Sequence, residues 1–224
     1  MQNSGSARFL TGCGFFMMLV LLVLGGGLVY SGIREFGEAR EFPKPEPVPC
    51  AELVRRKPDH GWFRIPDGVL DVEDAVWEES IGSGKLRRAF VPLFVAGSAR
   101  TGKAAILVET KDEAILEQVQ ELIDEKKTGL SRYPMDTLQK RSQYWITRPV
   151  EGRIPGFNRP GVIARRMQDG GISWRVAADY VYIAEGEAPS SGAAWGFTGF
   201  GALLVALIGT AIVKMIQEQS AKRT

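Results

Sequence analysis

The chain has few of the residues that catalysis and metal binding use most. Its 224 residues include two cysteines, Cys13 and Cys50, and one histidine, His60. A single histidine offers one possible base to a serine or cysteine nucleophile and excludes a zinc site built on several histidines. Cys13 falls in a long apolar run, so the central part of the chain has one thiol and no disulfide of its own. We therefore predict no metal, no cofactor and no catalytic residue.

The chain also has little net charge. The formal value is +2, and four of the 28 basic and one of the 26 acidic residues lie outside residues 32–192. The central segment therefore carries a net charge of −1. Nucleic-acid-binding domains are normally basic, so we expect no nucleic-acid partner.

Two long apolar runs dominate what the chain does contain. Residues 9–31 (FLTGCGFFMMLVLLVLGGGLVYS) carry no charge, and residues 193–213 are similar. A helix over residues 9–31 would be ~34 Å long, enough to cross a hydrocarbon core of ~30 Å. The first run is longer than the ~7–15 apolar residues of a signal peptide, which favours a retained span over cleavage. We predict a membrane protein with terminal transmembrane helices and the lipid bilayer as a partner.

These runs divide the chain into six parts. An N-terminal tail (1–8) precedes the first transmembrane helix (9–31), and a juxtamembrane spacer rich in proline (32–49) follows it. The remaining parts are a folded domain (50–189), a second transmembrane helix (193–216) and a basic C-terminal tail (217–224).

Basic residues beside the spans predict orientation. Lys214, Lys222 and Arg223 follow the second span, whereas the segment before it, residues 180–192, has none. Cytoplasmic flanks are enriched in such residues, so both termini are expected in the cytoplasm, with the domain outside a multi-pass cell-membrane protein. The basic residues beside the first span favour the opposite orientation, with the domain in the cytoplasm. Because long loops translocate largely regardless of charge, we assign the orientation from the second span.

Residues 50–189 predict an α+β domain. Short apolar segments bounded by glycine and proline indicate strands, the clearest at residues 104–110 (AAILVET). Pro92 within residues 89–96 indicates an edge strand or a bulge. Residues 112–127 form one amphipathic helix, because Ile115, Val119, Leu122 and Ile123 share a face. The strand spacing fits a small barrel or an open sheet. Further elements are predicted at residues 135–141 (helix), 161–165 and 172–178 (strands).

A glycine-rich loop raises one enzymatic alternative. Residues 97–104 (GSARTGKA) match a phosphate-binding loop at Gly97, Gly102 and Lys103, but Ala104 replaces the hydroxyl that would hold Mg²⁺. A strand follows, whereas such a loop needs a helix N-terminus. A hairpin loop with a basic tip is favoured over a nucleotide-binding protein or a membrane-bound hydrolase.

Small residues recur along the second span. Thr198, Ala202, Ala206 and Thr210 repeat every four residues, and Gly192 and Gly196 precede them. Such a stripe lets helix backbones approach closely in lipid. The partner of this helix-packing face is the first span, a second copy of the chain, or another membrane or envelope protein.

The domain has a second possible ligand surface. Trp77 lies near Lys85, Arg87 and Arg88, and small barrels use exposed aromatic and basic residues to bind oligosaccharides or oligonucleotides. This alternative remains beside the leading hypothesis, a non-enzymatic protein whose extracytoplasmic domain binds or positions an envelope protein in an assembly, scaffold or accessory role.

The layout resembles that of surfeit-locus-type cytochrome oxidase assembly factors. The similar parts are the two terminal spans, the strand at residues 104–110, and Val150-Glu151-Gly152-Arg153 before a glycine–proline loop. The resemblance implies a β-rich extracytoplasmic domain with an assembly role. The strand here continues through Glu109-Thr110 into a helix, where that family has an Asn-Arg-Gly-Trp-like turn, so no functional residue is carried over.

Overall fold

The chain folds into two compact units. The structure, a computed structural model, describes residues 4–80, 82–98, 103–128, 144–155 and 176–221. One unit combines Met1–Pro43 with Pro189–Thr224, and the other is Lys44–Ala188. The predicted helix at residues 135–141 and strand at 161–165 lie outside the described residues, as do residues 172–175 of the predicted strand 172–178.

Two long helices form the first unit. Helix α1 spans Ser4–Glu41, so it includes part of the predicted tail and the first ten residues of the predicted spacer, and helix α4 spans Ser191–Ala221. Both are long and apolar enough to cross a membrane. Among the described residues, every large hydrophobic side chain that is exposed lies on α1 or α4. Their apolar surface faces outward rather than into a protein core.

Glycines allow α1 and α4 to pack closely and antiparallel. A Cβ atom at Gly32 would lie 2.2 Å from Thr198 Oγ1 and 2.8 Å from the Ala194 carbonyl oxygen. A Cβ atom at Gly201 would lie 2.7 Å from the Gly25 carbonyl oxygen. The contacts run in opposite directions along the two helices, which places the N-terminus of α1 and the C-terminus of α4 at the same end of the pair.

The second unit is a mixed half-barrel sheet. Its described strands are β1 Glu46–Pro47, β2 Gly61–Ile65, β3 Gly68–Asp71, β4 Val76–Glu79, β5 Leu86–Val95, β6 Ala104–Thr110, β7 Trp145–Thr147, β8 Val150–Ile154 and β9 Val176–Glu185. They run in the order β1-β2-β8-β9-β6-β5-β3-β7, and β4 pairs with β5. The β1–β2 and β6–β9 pairs are parallel and the others antiparallel. Two helices, α2 (Cys50–Arg56) and α3 (Glu113–Thr128), complete the described elements, with a 3-10 turn at Val72–Asp74.

Two bent segments make this sheet curl. Only Pro66 and Asp67 separate β2 from β3, and only Arg148 and Pro149 separate β7 from β8. The two segments pair with each other on both sides of their bends, because β2 pairs with β8 and β3 with β7. The opposite ends of the strand order are therefore continuous in the chain, and the sheet bends round on itself. The predicted α+β domain is confirmed in this form.

The core lies inside this curve. Alternation along the strands sends Val91, Ile106, Val108 and Ile183 to one face, where the apolar side of α3 joins them. The helix buries Ile115, Val119 and Ile123, three members of the stripe in the sequence. Asp112 Oδ1 accepts hydrogen bonds from the Ala114 and Ile115 N–H groups and so caps its N-terminus.

Pro92 lies in an internal strand, so the expected edge position is wrong. Its strand β5 pairs with β6 on one side and with β3 and β4 on the other. On that second side, the pairing with β3 begins at Leu93 and the pairing with β4 ends at Phe90, so neither strand pairs with Pro92. The missing N–H group of proline is tolerated there because no ladder bond is needed.

The close helix contact predicts which glycines tolerate side chains. Gly32→Leu should force α1 and α4 apart, because its Cβ atom would overlap the Thr198 backbone and side chain. Gly27→Leu is the matched control, since a Cβ atom at Gly27 has no neighbour within 4 Å. Disulfide formation between cysteines introduced at Gly25 and Val205 measures helix proximity, because a Cβ atom at Gly25 would lie 3.0 Å from Val205 Cγ2. We expect it to fall in Gly32→Leu and persist in Gly27→Leu; equal crosslinking in both variants would contradict the packing.

Candidate functional site

A buried charge network lies on the face of the sheet away from the main core. Glu109 is only 5% exposed and is the one acidic residue of β6. Arg88 Nη1 donates a hydrogen bond to Glu109 Oε1 at 2.9 Å, and the Tyr182 hydroxyl donates to Glu109 Oε2. Arg88 Nε also donates to Glu78 Oε2 at 2.5 Å. We call Glu78, Arg88, Glu109 and Tyr182 the Glu109 network.

Strand register assembles this network. Glu78 of β4 and Arg88 of β5 are directly paired, and Phe90 of β5 is paired with Glu109. Alternation therefore places Arg88, Phe90 and Glu109 on the same face. The Arg88 guanidinium lies 5.5 Å from the centre of the Phe90 ring, so an aromatic face also contacts the cation.

The network changes the protonation properties of its members. Burial alone would lower the pKa of Arg88, but the hydrogen bonds to Glu109 and Glu78 outweigh it and raise the pKa above its ordinary value. Burial and the hydrogen bond to Glu109 both raise the pKa of Tyr182. Arg88 is therefore a permanent cation and Tyr182 a neutral donor. Both carboxylate oxygens of Glu109 accept hydrogen bonds, which favours a role in stabilising the fold over a role in proton transfer.

Apolar side chains surround the Glu109 network. Val76, Phe90, Leu107, Val176, Tyr180 and Tyr182 form a second buried cluster on this face. In such surroundings an unpaired carboxylate would carry a large desolvation free energy. The three hydrogen bonds that Arg88 and Tyr182 donate to Glu78 and Glu109 offset this cost. No motif in the sequence identifies this network. The available signal is the isolated acid in the strand AAILVET, at a position whose alternation predicts burial.

Cys50 is the other buried reactive group. It is fully buried at the start of α2, and its N–H group donates to Asp67 Oδ1 at 2.7 Å. Burial, together with the nearby Asp67 carboxylate, raises the pKa of the thiol to about 12. A thiol with this pKa is almost entirely protonated at neutral pH, so Cys50 serves packing rather than nucleophilic chemistry.

The glycine-rich loop lies in the β5–β6 connection. Gly97 follows β5 in a turn with φ of +74°, which favours glycine, and Lys103 is exposed directly before β6. Gly102 lies outside the described residues. The element after Lys103 is strand β6 rather than a helix, so the described part of the loop lacks the helix N-terminus that phosphate binding uses.

The predicted helix-packing stripe mostly faces away from α1. Thr198 contacts the seam at Gly32, whereas Gly192, Gly196, Ala202, Ala206 and Thr210 are exposed. Among the described residues of α4, Ala194, Gly201 and Ile208 are buried and recur every seven residues. Ala194 and Gly201 approach Gly32 and Gly25 of α1. The stripe is thus available to a helix other than α1.

The second possible ligand surface is partly used inside the domain. Trp77 is half-buried against the main core, and Arg88 belongs to the Glu109 network. Lys85 is exposed, as is Arg87. Among the residues that the structure describes, no three His, Cys, Asp or Glu side chains are grouped so that they could hold a metal ion.

The Glu109 network predicts a strong dependence of stability on Arg88. Arg88→Met should lower the free energy of unfolding by about 3–5 kcal/mol, because it leaves Glu109 charged without its cation. The double variant Arg88→Met/Glu109→Leu should recover most of this loss, since it removes the acid that Arg88→Met leaves buried without a cation, while the remaining Glu78 side chain is 19% exposed to solvent. Urea unfolding of the detergent-solubilised chain, followed by tryptophan fluorescence, measures both. A double variant less stable than Arg88→Met would contradict the pairing.

The raised pKa of Cys50 predicts low reactivity and sensitivity to alkali. In a Cys13→Ser chain at pH 8, iodoacetamide should modify native Cys50 about a thousandfold more slowly than the urea-unfolded thiol, given the three-unit difference in pKa from 9.0. Because the folded pKa lies above the unfolded one, the thiol's contribution to stability is complete below pH 9 and declines between pH 9 and about 12.

Cys50→Ala should remove the part of the loss in unfolding free energy between pH 9 and about 12 that comes from ionisation of this thiol. Equal alkylation rates for the folded and unfolded chains would show that Cys50 is accessible in the native state, against the burial described here.

Comparison with protein-family models, with curated proteins and with solved structures finds no match for this chain.

Proposed function

We propose that this protein is a non-enzymatic accessory protein of a cell membrane. Helices α1 and α4 span the bilayer, both termini lie in the cytoplasm, and the half-barrel outside binds or positions an envelope protein. The resemblance in layout to oxidase assembly factors agrees with an assembly or scaffold role.

The observation that carries the proposal is the outward apolar surface of α1 and α4. Soluble proteins rarely expose apolar patches larger than a few hundred Å². Here fifteen large hydrophobic side chains on two paired helices are exposed, among them Phe16, Leu24, Phe200 and Leu207. A hydrocarbon environment removes the cost of this exposure.

The antiparallel arrangement supports the proposed sidedness. Two antiparallel spans place both chain ends on the same side of a membrane, and Lys214, Lys222 and Arg223 near the C-terminus favour the cytoplasmic side. The segment that forms the half-barrel then lies on the opposite side.

Two features support a binding role rather than a reaction centre. Both carboxylate oxygens of Glu109 accept hydrogen bonds within the network, and Cys50 is held as a buried neutral thiol. Ala202, Ala206 and Thr210 of the small-residue stripe on α4, in contrast, are exposed and offer close backbone approach to a partner helix. The proposed contacts of the partner are therefore this stripe within the membrane and the half-barrel outside it.

Crosslinking on intact cells tests the function and the sidedness together. A membrane-impermeant amine crosslinker should link exposed lysines of the half-barrel, such as Lys85, Lys103 and Lys111, to a partner protein. Ala202→Leu/Ala206→Leu should reduce recovery of the partner several-fold, because bulky side chains keep the helices apart.

Gly26→Leu is the matched control, since it adds the same side chain at an exposed position of α1 with open space around it. Recovery of the monomer alone would refute the partner role, and products linking two copies would assign the stripe to self-association. Labelling that requires inverted vesicles would overturn the sidedness.

A further inference from the structure

An apolar groove opens along one side of the α1–α4 pair. It is lined by Ile33 and Phe36 of α1 and by Ala194, Trp195 and Thr198 of α4, and its volume is about 180 Å³. The Phe36 and Trp195 rings meet edge to face, with centroids 6.0 Å apart and planes at 73°. A dry apolar cavity of ~150 Å³ accommodates benzene, so this groove accommodates a hydrocarbon segment of about six carbons.

A cation lies beyond one end of the groove. Arg40 follows Ile33 by seven residues and Phe36 by four, which places all three on one side of α1. Arg40 is exposed, and no hydrogen bond or ion pair joins it to another of the described residues. Arg34 differs, because its guanidinium forms an ion pair with Glu38 at 3.0 Å. Arg40 is therefore a cation available to an anion from outside the chain.

Polar groups mark this end of the helix pair. Glu35 Oε1 accepts a hydrogen bond from the Ser190 N–H group at 3.0 Å, directly before α4 begins. Trp195, in the first turns of α4, is 69% exposed. Tryptophan side chains concentrate where hydrocarbon meets headgroups. Along the groove, the surroundings thus change from the apolar middle of the helices to the charged end of α1.

We propose that this groove and Arg40 together bind one anionic phospholipid of the bilayer. An acyl chain lies against Ile33, Phe36 and Trp195, and the headgroup lies at Arg40. The order of apolar groove, aromatic rim and cation matches the order of groups along such a lipid. This inference rests on the proposed function, because α1 and α4 must lie in a membrane for the lipid to reach the groove.

Native mass spectrometry of the full chain tests the site. The detergent-solubilised protein is incubated with equal amounts of phosphatidylglycerol and phosphatidylcholine. The wild-type chain should retain one phosphatidylglycerol in about fivefold preference, the effect of one basic residue on an anionic lipid. Arg40→Gln should abolish the preference, whereas Trp195→Ala and Ile33→Ala should lower retention of both lipids.

Arg64→Gln is the charge-matched control, because it removes an exposed cation of the half-barrel and should leave the preference unchanged. Equal retention of the two lipids by the wild type, or an unchanged preference in Arg40→Gln, would overturn the site. Alkaline carbonate extraction separates the two proposals. A chain that stays in the membrane pellet without a lipid preference refutes the lipid site alone, and a chain released into solution refutes the membrane function and the site with it.

Discussion

The close approach of two apolar helices is the constraint on which the rest of this structure depends. Glycine at positions 25, 32 and 201 lets α1 and α4 meet backbone to backbone, and their other faces remain apolar and exposed. In a lipid environment, where the hydrophobic effect does not drive helices together, such packing is a main source of their association. The segment between the helices is thereby held at both of its ends.

In the half-barrel, the bending of the sheet allows its short strands to enclose a core. The bends at Pro66-Asp67 and Arg148-Pro149 let two segments each contribute to both ends of the strand order. Gly152 permits this tight pairing, because a Cβ atom there would lie 2.5 Å from the Ala184 carbonyl oxygen. The second face of the sheet is then held by the Glu109 network, whose charges are compensated where they are buried.

The sequence predicts an element well where the residues of that one segment show its periodicity. The period of Ile115, Val119 and Ile123 predicts α3 within one residue at each end, and the apolar run AAILVET predicts β6 as Ala104–Thr110. Pairings between distant segments leave no such signal. Arg88 and Tyr182 meet Glu109 from 21 and 73 residues away. On α4, no pattern in the sequence distinguishes the buried residues Ala194, Gly201 and Ile208 from the neighbouring small-residue stripe.

The sequence by itself determined two apolar helices around a near-neutral α+β segment, because length, hydropathy and charge are properties of local chain composition. Only the tertiary structure decided which face of α4 meets α1, how β2–β3 and β7–β8 curl the sheet, and which charges are buried together. Those outcomes depend on how backbones and side chains that are distant in the chain fit together. The residues of one segment do not show which other segments it will contact.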